Sequence, residues 1–344
     1  MMRDAGSYAY ARACGIIGKS FLGKRISALA GLHTLSELDR LIFPGLQKEL
    51  PGRELLVDLE HRIVERSVRQ ILSILNSYRQ PPRLLTLMLK AYEYTDIKAC
   101  FQQFIGGKKN ILPVSDIGRF KTVHFEMFPD FAAMLNKTEY NFILRDLKSM
   151  QGPGGDFSYI ETKLDRHFYM DLMESLYHIP EHEREEAQKL LIHEISLRNC
   201  VWAFRLRSYY QKSPQETAKY LMDIKPRAGS LKRNASLARE AYQSLEFGMD
   251  SRQQWNGWKW ERFLNPEESN GQWAANPRYF QNAASQYIYR RAMHSFHKSP
   301  TTIGAIFCFI KLKQFEEDIL TSVAEGLALG MDGAGVFKML EVKK

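Results

Sequence analysis

The residues with the clearest potential for phosphate chemistry are Gly18, Lys19 and Ser20, which end the segment ACGIIGKS (13–20). A phosphate-binding loop of this kind needs a glycine five residues before Gly18. It also needs a buried β-strand in front of it, so that backbone N–H groups converge on the phosphates. Ala13 occupies the first of these positions, and the preceding SYAYARA lacks the pattern of such a strand. The segment therefore does not predict a nucleotide site.

Histidine pairs are the next candidates, because a metal site needs at least three converging ligands. His178 and His182 have helical spacing, but Pro180 lies between them and breaks that geometry. His294 and His297 are three residues apart, yet no nearby cysteine or carboxylate supplies a third ligand. These histidines are more typical of surface or structural positions, and no metal or other cofactor is predicted.

Glu161 and Asp165 lie one helical turn apart and have the spacing of paired catalytic acids. Lys163 and Arg166 are close to them in the sequence, so that ion pairs on the face of one helix are the favoured interpretation. We therefore predict no catalytic residues in this chain.

The net charge is positive, because 48 Lys and Arg residues exceed 39 Asp and Glu residues by nine. An excess of this kind suits nucleic acid, an anionic membrane surface or an acidic protein, and it also serves solubility alone. One alternative function is therefore that of a basic, all-α nucleic-acid-binding protein. The basic stretch 225–239 lacks interleaved aromatic residues of the kind that stack on bases, which favours a solvated or protein-contacting surface.

Four of the five tryptophans fall in the segment 255–273, WNGWKWERFLNPEESNGQW. Tryptophan is enriched at protein interfaces, so this segment fits an aromatic anchor for a partner. A loop packed on its own domain is an equally good interpretation.

The cysteines are widely spaced and form no CxxC pair, which favours free thiols in a reducing compartment over a disulfide framework or a zinc cluster. The N-terminal sequence lacks the continuous apolar core of a signal peptide. The stretch Ile303–Ile310 is apolar but only eight residues long, and a membrane span needs roughly 20. Membrane contact, if any, is expected to be indirect.

The elements that position these residues are predicted to be helices throughout, and the fold class is all-α. Apolar residues recur at three- and four-residue steps from Arg53 to Tyr78, before Pro81-Pro82, and again from Leu84 to Phe104, before Gly106-Gly107. Comparable runs cover 158–177, 183–212 and 302–328.

A faint internal repeat is visible among these helices. The segments 57–68 and 158–169 resemble each other, and 285–296 fits a third, degenerate copy. Each is followed by an acidic or amide residue at the start of a second amphipathic segment, and these residues are Asp96, Asn199 and Asp318. Three units of roughly 110 residues are therefore predicted, with accidental similarity between long helices as the alternative.

Three segments carry a family resemblance: SYAYARACGIIGKSFL at the start, SYIETKLDRHFYMDL in the middle, and IKLKQFEEDILTSVAEGLALGM near the end. Together they resemble the C subunit of V/A-type ATPases, which is similar to the d subunit of vacuolar enzymes. The positions that match its signature are Glu161, Asp165, Asn199, Glu316 and Asp318, and a glycine-containing turn at Gly326 is expected after them. Two departures are the Asp96-Ile97-Lys98 sequence, where the family has Asn-Leu, and the tryptophan-rich insertion.

The resemblance implies three related helical units around a pseudo-threefold axis, arranged as a funnel, with boundaries at 1–118, 119–228 and 229–344. It implies a non-catalytic central-stalk subunit, present in one copy per complex at the cytoplasmic face of the membrane. The partners would be the shaft subunits of the D and F type and the proteolipid ring, with no nucleic acid and no cofactor. Proton and sodium transport are both compatible with it, since the ring makes that choice, and so are ATP synthesis and hydrolysis.

Overall fold

The computed structural model describes residues 2–107, 113–149, 157–227, 235–266 and 273–340. Every regular element within these ranges is helical, which confirms the predicted all-α class. The α-helices are α1 (Met2–Ile17), α2 (Ser27–Ala30), α3 (Leu35–Ile42), α4 (Gly52–Leu75), α5 (Arg83–Ile105), α6 (Phe131–Met134), α7 (Leu144–Ser149), α8 (Phe157–Leu176), α9 (Glu181–Ser208), α10 (Pro214–Ala218), α11 (Arg239–Ser244), α12 (Pro277–Lys298), α13 (Ile303–Ala328) and α14 (Gly333–Leu340).

Proline and polar caps set the starts of the long helices. α4, α5 and α9 each follow directly after a proline, whose fixed φ suits the entry to a helix and whose missing N–H costs nothing there. The side chain of Asn276 accepts hydrogen bonds from the first turn of α12, and Thr302 does the same for α13. These local signals explain why the predicted long helices lie within a few residues of the observed ones.

The predicted repeat segments fall on six helices. The mutually similar segments 57–68, 158–169 and 285–296 lie on α4, α8 and α12. The polar residues that follow them, Asp96, Asn199 and Asp318, lie on the next long helix in each case, α5, α9 and α13. α4 packs on α5, α8 on α9, and α12 on α13. The order of three helix pairs agrees with a repeat, while the pseudo-threefold axis, the funnel shape and the unit boundaries stay predictions.

α13 is the central helix of the fold. It packs against α12, α4, α9, α5 and α1, and its first eight residues, Ile303–Ile310, are all buried. That burial explains the short apolar run seen in the sequence as a core segment. At its other end, Gly326 lies inside the helix and not in a turn as the resemblance suggested; a Cβ there would lie 2.2 Å from Val336 Cγ2 of α14.

The tryptophan-rich segment packs on its own chain. Trp255, Trp258, Trp260 and Trp273 are at most 8% exposed and join Phe204 and Phe280 in a second hydrophobic core. The interpretation as an exposed aromatic anchor is therefore wrong for these four side chains. Residues 267–272 of the segment lie outside the described ranges.

The Gly18-Lys19-Ser20 motif follows the C-terminal end of α1. The Gly18 and Lys19 N–H groups donate to the carbonyls of Cys14 and Ile16, in the manner of a helix end. A helix C-terminus presents carbonyl oxygens, which repel phosphate, so the geometry here opposes a nucleotide loop.

Candidate functional site: a central cavity walled by three helix pairs

The described structure contains a cavity of about 830 Å³. Helices α4, α5, α8, α9, α12 and α13 all contribute side chains to its wall, so both members of each of the three helix pairs border one space. Its described acidic and basic lining residues, histidine and tyrosine aside, are Glu60, Asp96, Asp165, Glu194, Glu317, Asp318, Lys98, Arg198, Arg205 and Lys311. Acidic groups therefore outnumber basic ones in a chain whose net charge is positive.

Asp165 joins three helices at the cavity wall. Its carboxylate accepts from Lys98 Nζ of α5 at 2.5 Å and from Arg198 Nη2 of α9 at 3.0 Å. Burial by itself raises the pKa of Asp165, but these two cations hold the pKa below its usual range. The ion pairs predicted for Asp165 on the face of its own helix are wrong, because its cations come from neighbouring helices.

Glu161, one turn from Asp165, is partly buried and does not line the cavity. Burial raises the pKa of its carboxyl, with Lys98 opposing and Asp165 adding to the rise. Lys163, the nearby cation that suggested a helix-face pair, instead donates to Asp146 of α7 at 2.8 Å. The structure shows no arrangement of Glu161 and Asp165 as an acid–base pair.

Glu317 and Asp318 form the acidic side of the cavity on α13. Tyr92 Oη donates to Glu317 Oε2 at 2.8 Å, yet burial raises the pKa of Glu317 to about 8. Asp318 is exposed and lines the cavity, where the surrounding protein displaces bulk water and raises its pKa to about 6. Asp318 forms no hydrogen bond or ion pair with any described residue.

Asn199 and Asp96 have the same structural task on their respective helices. Asn199 is fully buried; its Oδ1 accepts from Met222 N at 2.7 Å and its Nδ2 donates to Met222 O at 3.1 Å. Asp96 Oδ2 accepts from Ser115 N at 2.8 Å. Each side chain thus holds the segment that follows its helix, and this shared role explains the recurrence of a short polar residue. Asp318 does not share it.

Glu316 belongs to the core and not to the cavity. Its carboxylate accepts from Phe21 N at 2.7 Å and from buried Lys313, and Arg66 Nη2 lies 3.5 Å away. Burial raises the pKa of Glu316, but the Lys313 and Arg66 charges bring it below the usual range. Glu316 therefore joins α13 to α4 and to the segment after α1 as an ion.

Several residues of the cavity wall were not identified from the sequence, among them Lys98, Arg198, Glu317 and Trp202. Lys98 and Arg198 gain their role from a carboxylate on a third helix, and no spacing within one helix reveals such a contact. Glu317 stands directly before Asp318, so its proximity to the signature was the available signal. Trp202 is the tryptophan outside the cluster 255–273, and that separation was the available signal for it.

The remaining sequence candidates carry no site in the described structure. His178, His182, His294 and His297 are all exposed. Among the described residues, no three His, Cys, Asp or Glu side chains converge as metal ligands. The cysteines are free thiols, three of them buried.

The basic stretch 225–239 is described only in part. Its Lys225, Arg227 and Arg239 are exposed, and Arg227 pairs with Glu174. Lys232 and Arg233 lie outside the described residues. In the part of the chain that the structure covers, no helix combines the length and apolar character that a bilayer span requires.

Comparison with known proteins gives two matches. The chain is 25% identical over 330 residues to an uncharacterised protein of Treponema pallidum, with 95% of this chain and 93% of that protein covered. The family described as ATP synthase (C/AC39) subunit matches residues 45–334, a range that includes all six helices of the cavity wall. The family resemblance seen in the sequence is thereby confirmed: this chain belongs to the ATP synthase (C/AC39) subunit family.

Proposed function

We propose that this protein is a non-catalytic central-stalk subunit of a V/A-type rotary ATPase, coupling the membrane proteolipid ring to the central shaft. It would sit in one copy at the cytoplasmic face of the membrane, bound to shaft subunits of the D and F type on one side and to the ring on the other. Membership of the C/AC39 family supports a place in such a complex.

The observation that carries the coupling role is the cavity walled by all three helix pairs. One helical turn of 10–12 Å diameter and 5.4 Å pitch occupies about 400–600 Å³, so a cavity of about 830 Å³ has room for the tip of a shaft helix. A shaft end held there would contact α4, α5, α8, α9, α12 and α13 together. Torque would then pass into six helices and not into a single loop.

The frame around the cavity suits the transmission of torque. α4, α5, α8, α9, α12 and α13 are each 20 to 28 residues long, and helices of that length are stiff because their backbone hydrogen bonds are internal. Ion pairs such as those of Asp165 connect α5, α8 and α9 across the cavity wall. Relative sliding of these helices would break charge-assisted hydrogen bonds.

Co-purification tests the proposal. The chain, tagged and expressed in its own organism, is captured from gently solubilised membranes, and bound proteins are identified by mass spectrometry. We expect shaft subunits and the proteolipid to be recovered in fixed proportion to the chain. Recovery of neither one, in a preparation where the catalytic subunits remain assembled with the ring, would refute a coupling role.

A further inference from the structure

We propose that the cavity binds a shaft helix through a cationic side chain, an arginine or lysine, that is held by Asp318 together with Glu317. This inference rests on the proposed function, since it specifies the chemistry by which that partner would be recognised. The partner is identified only by class, as a protein helix tip that carries a positive charge.

The charges on the cavity wall leave Asp318 without a counterion. Lys98 and Arg198 are both hydrogen bonded to Asp165, and Lys311 donates to Glu194 at 2.7 Å. The fourth cation, Arg205, lies two helical turns beyond Arg198 on α9. The two cations whose charges lower the pKa of Asp318, Lys311 and Arg198, are thus already held by other carboxylates.

The adjacent carboxyl of Glu317 supplies a second negative charge once a cation enters, because the cation would lower the raised pKa that keeps this group largely protonated near neutral pH. Glu317 and Asp318 repel each other and are partly removed from bulk water, and both effects raise the pKa of Glu317. A cation that entered the cavity would relieve the repulsion and replace the lost hydration. A guanidinium suits this role better than an ammonium, because it is weakly hydrated and can bond two carboxylate oxygens at once.

The cavity also offers an apolar contact for the body of a helix. Trp202 of α9 lies in its wall, half-buried, whereas Trp255, Trp258, Trp260 and Trp273 are buried in the second core. Val57 of α4, 54% exposed, lies in the same wall. A half-buried tryptophan and an exposed valine in the same wall as an unpaired carboxylate match the mixture of apolar anchor and charge pair found at protein interfaces.

Other classes of occupant fit less well. The excess of carboxylates on the wall repels phosphate, which disfavours nucleic acid and anionic lipid headgroups. Among the described residues there is no cluster of three metal-binding side chains. A cationic protein segment complements the acidic wall of the cavity and fits its volume.

The test measures binding of the full-length chain to the purified D-type and F-type shaft subunits of the same organism. Asp318→Asn and Glu317→Gln keep the shape of each side chain and remove its capacity to carry a negative charge beside a bound cation. Asp223→Asn and Glu246→Gln are matched controls, since both residues are exposed and neither lines the cavity. We expect about a tenfold or greater loss of affinity for Asp318→Asn, a larger loss for the double variant, and no change for the controls.

Thermal unfolding of the same proteins separates docking from folding. Because Asp318 has no partner within the described chain, Asp318→Asn should leave the melting temperature unchanged or raise it. A lowered melting temperature would mean that the carboxylate stabilises the fold, and it would overturn the assignment. Charge reversal gives a second test: Asp318→Lys should abolish binding, and exchange of one basic residue at the shaft tip for glutamate should restore it.

The possible failures are distinguishable. If the unaltered chain does not bind the shaft, the proposed function itself fails. If it binds and the Asp318 and Glu317 variants bind equally well, only this inference fails. If the variants lose affinity for the isolated proteolipid ring and not for the shaft, the occupant is the ring, and the inference as stated is wrong.

Discussion

Replacement of Glu316 by glutamine would leave the buried ammonium group of Lys313 without its negatively charged partner. Glu316 and Lys313 are each 1% exposed, and the glutamine oxygen would still accept from Phe21 N while giving up the negative charge that Lys313 needs. Breaking a buried ion pair by removing one partner costs about 3–5 kcal/mol. The entropy of unfolding is about 2.1 cal/mol/K per residue, or roughly 0.7 kcal/mol/K for 344 residues. The expected fall in melting temperature is therefore about 4–7 °C.

The assay is calorimetric or circular-dichroism melting of Glu316→Gln beside the exposed control Glu246→Gln. A second variant, Lys313→Met combined with Glu316→Gln, removes the stranded ammonium and should recover most of the lost stability, because a well-packed apolar side chain often replaces a buried ion without loss. A fall of less than about 1 °C for the single variant, or no recovery in the double variant, would refute this account of the Glu316 network.

Three further predictions concern Gly326, Asp165 and Glu317. Gly326→Ala should lower the unfolding free energy by about 1–3 kcal/mol, because the new Cβ would lie 2.2 Å from Val336 Cγ2. Adding Val336→Ala in the same chain should recover part of that free energy. Equal denaturation midpoints for wild type and Gly326→Ala would count against this prediction. Asp165→Asn should lower the melting temperature at pH 7. The difference from wild type should shrink as the pH falls below the ordinary pKa of 3.8, because the folded pKa of Asp165 is depressed and its stabilisation is lost on protonation. A difference in melting temperature that is constant with pH would contradict the ion-pair role. Glu317 has a folded pKa of about 8 against an ordinary 4.5, so the native state binds more protons and its stability declines as the pH rises between those values. Glu317→Gln should therefore melt progressively higher than wild type from pH 5 to pH 9, and a constant offset would show that Glu317 does not titrate in this range.

The long helices could be predicted because proline or glycine residues stand directly before or after several of them. The pattern from Arg53 to Tyr78 corresponds to α4, Gly52–Leu75, and the pattern from Leu84 to Phe104 corresponds to α5, Arg83–Ile105. The predicted run 183–212 extended past the end of α9 at Ser208, because basic and aromatic residues continue the amphipathic pattern there. Helices of one or two turns, such as α2 and α6, contain too few residues for a periodicity to show.

The candidate site was only partly predictable. Asp165 and Asp318 do lie in the cavity wall, but the sequence does not show that two cations bind the first carboxylate and that no described residue binds the second. Asn199 and Glu316 are buried in the core because neighbouring segments cover them, and a single sequence does not contain those neighbours as a pattern. Periodicity assigns a residue to a helix face, and the identity of the facing helix comes only from the fold.

The most direct test of the coupling role uses sealed membrane vesicles that contain the assembled rotary ATPase, with and without this chain. In vesicles depleted of it, ATP hydrolysis should continue while ion transport falls to background, and addition of the purified chain should restore transport. Undiminished ATP-driven ion transport in vesicles that lack the chain would contradict its place between shaft and ring.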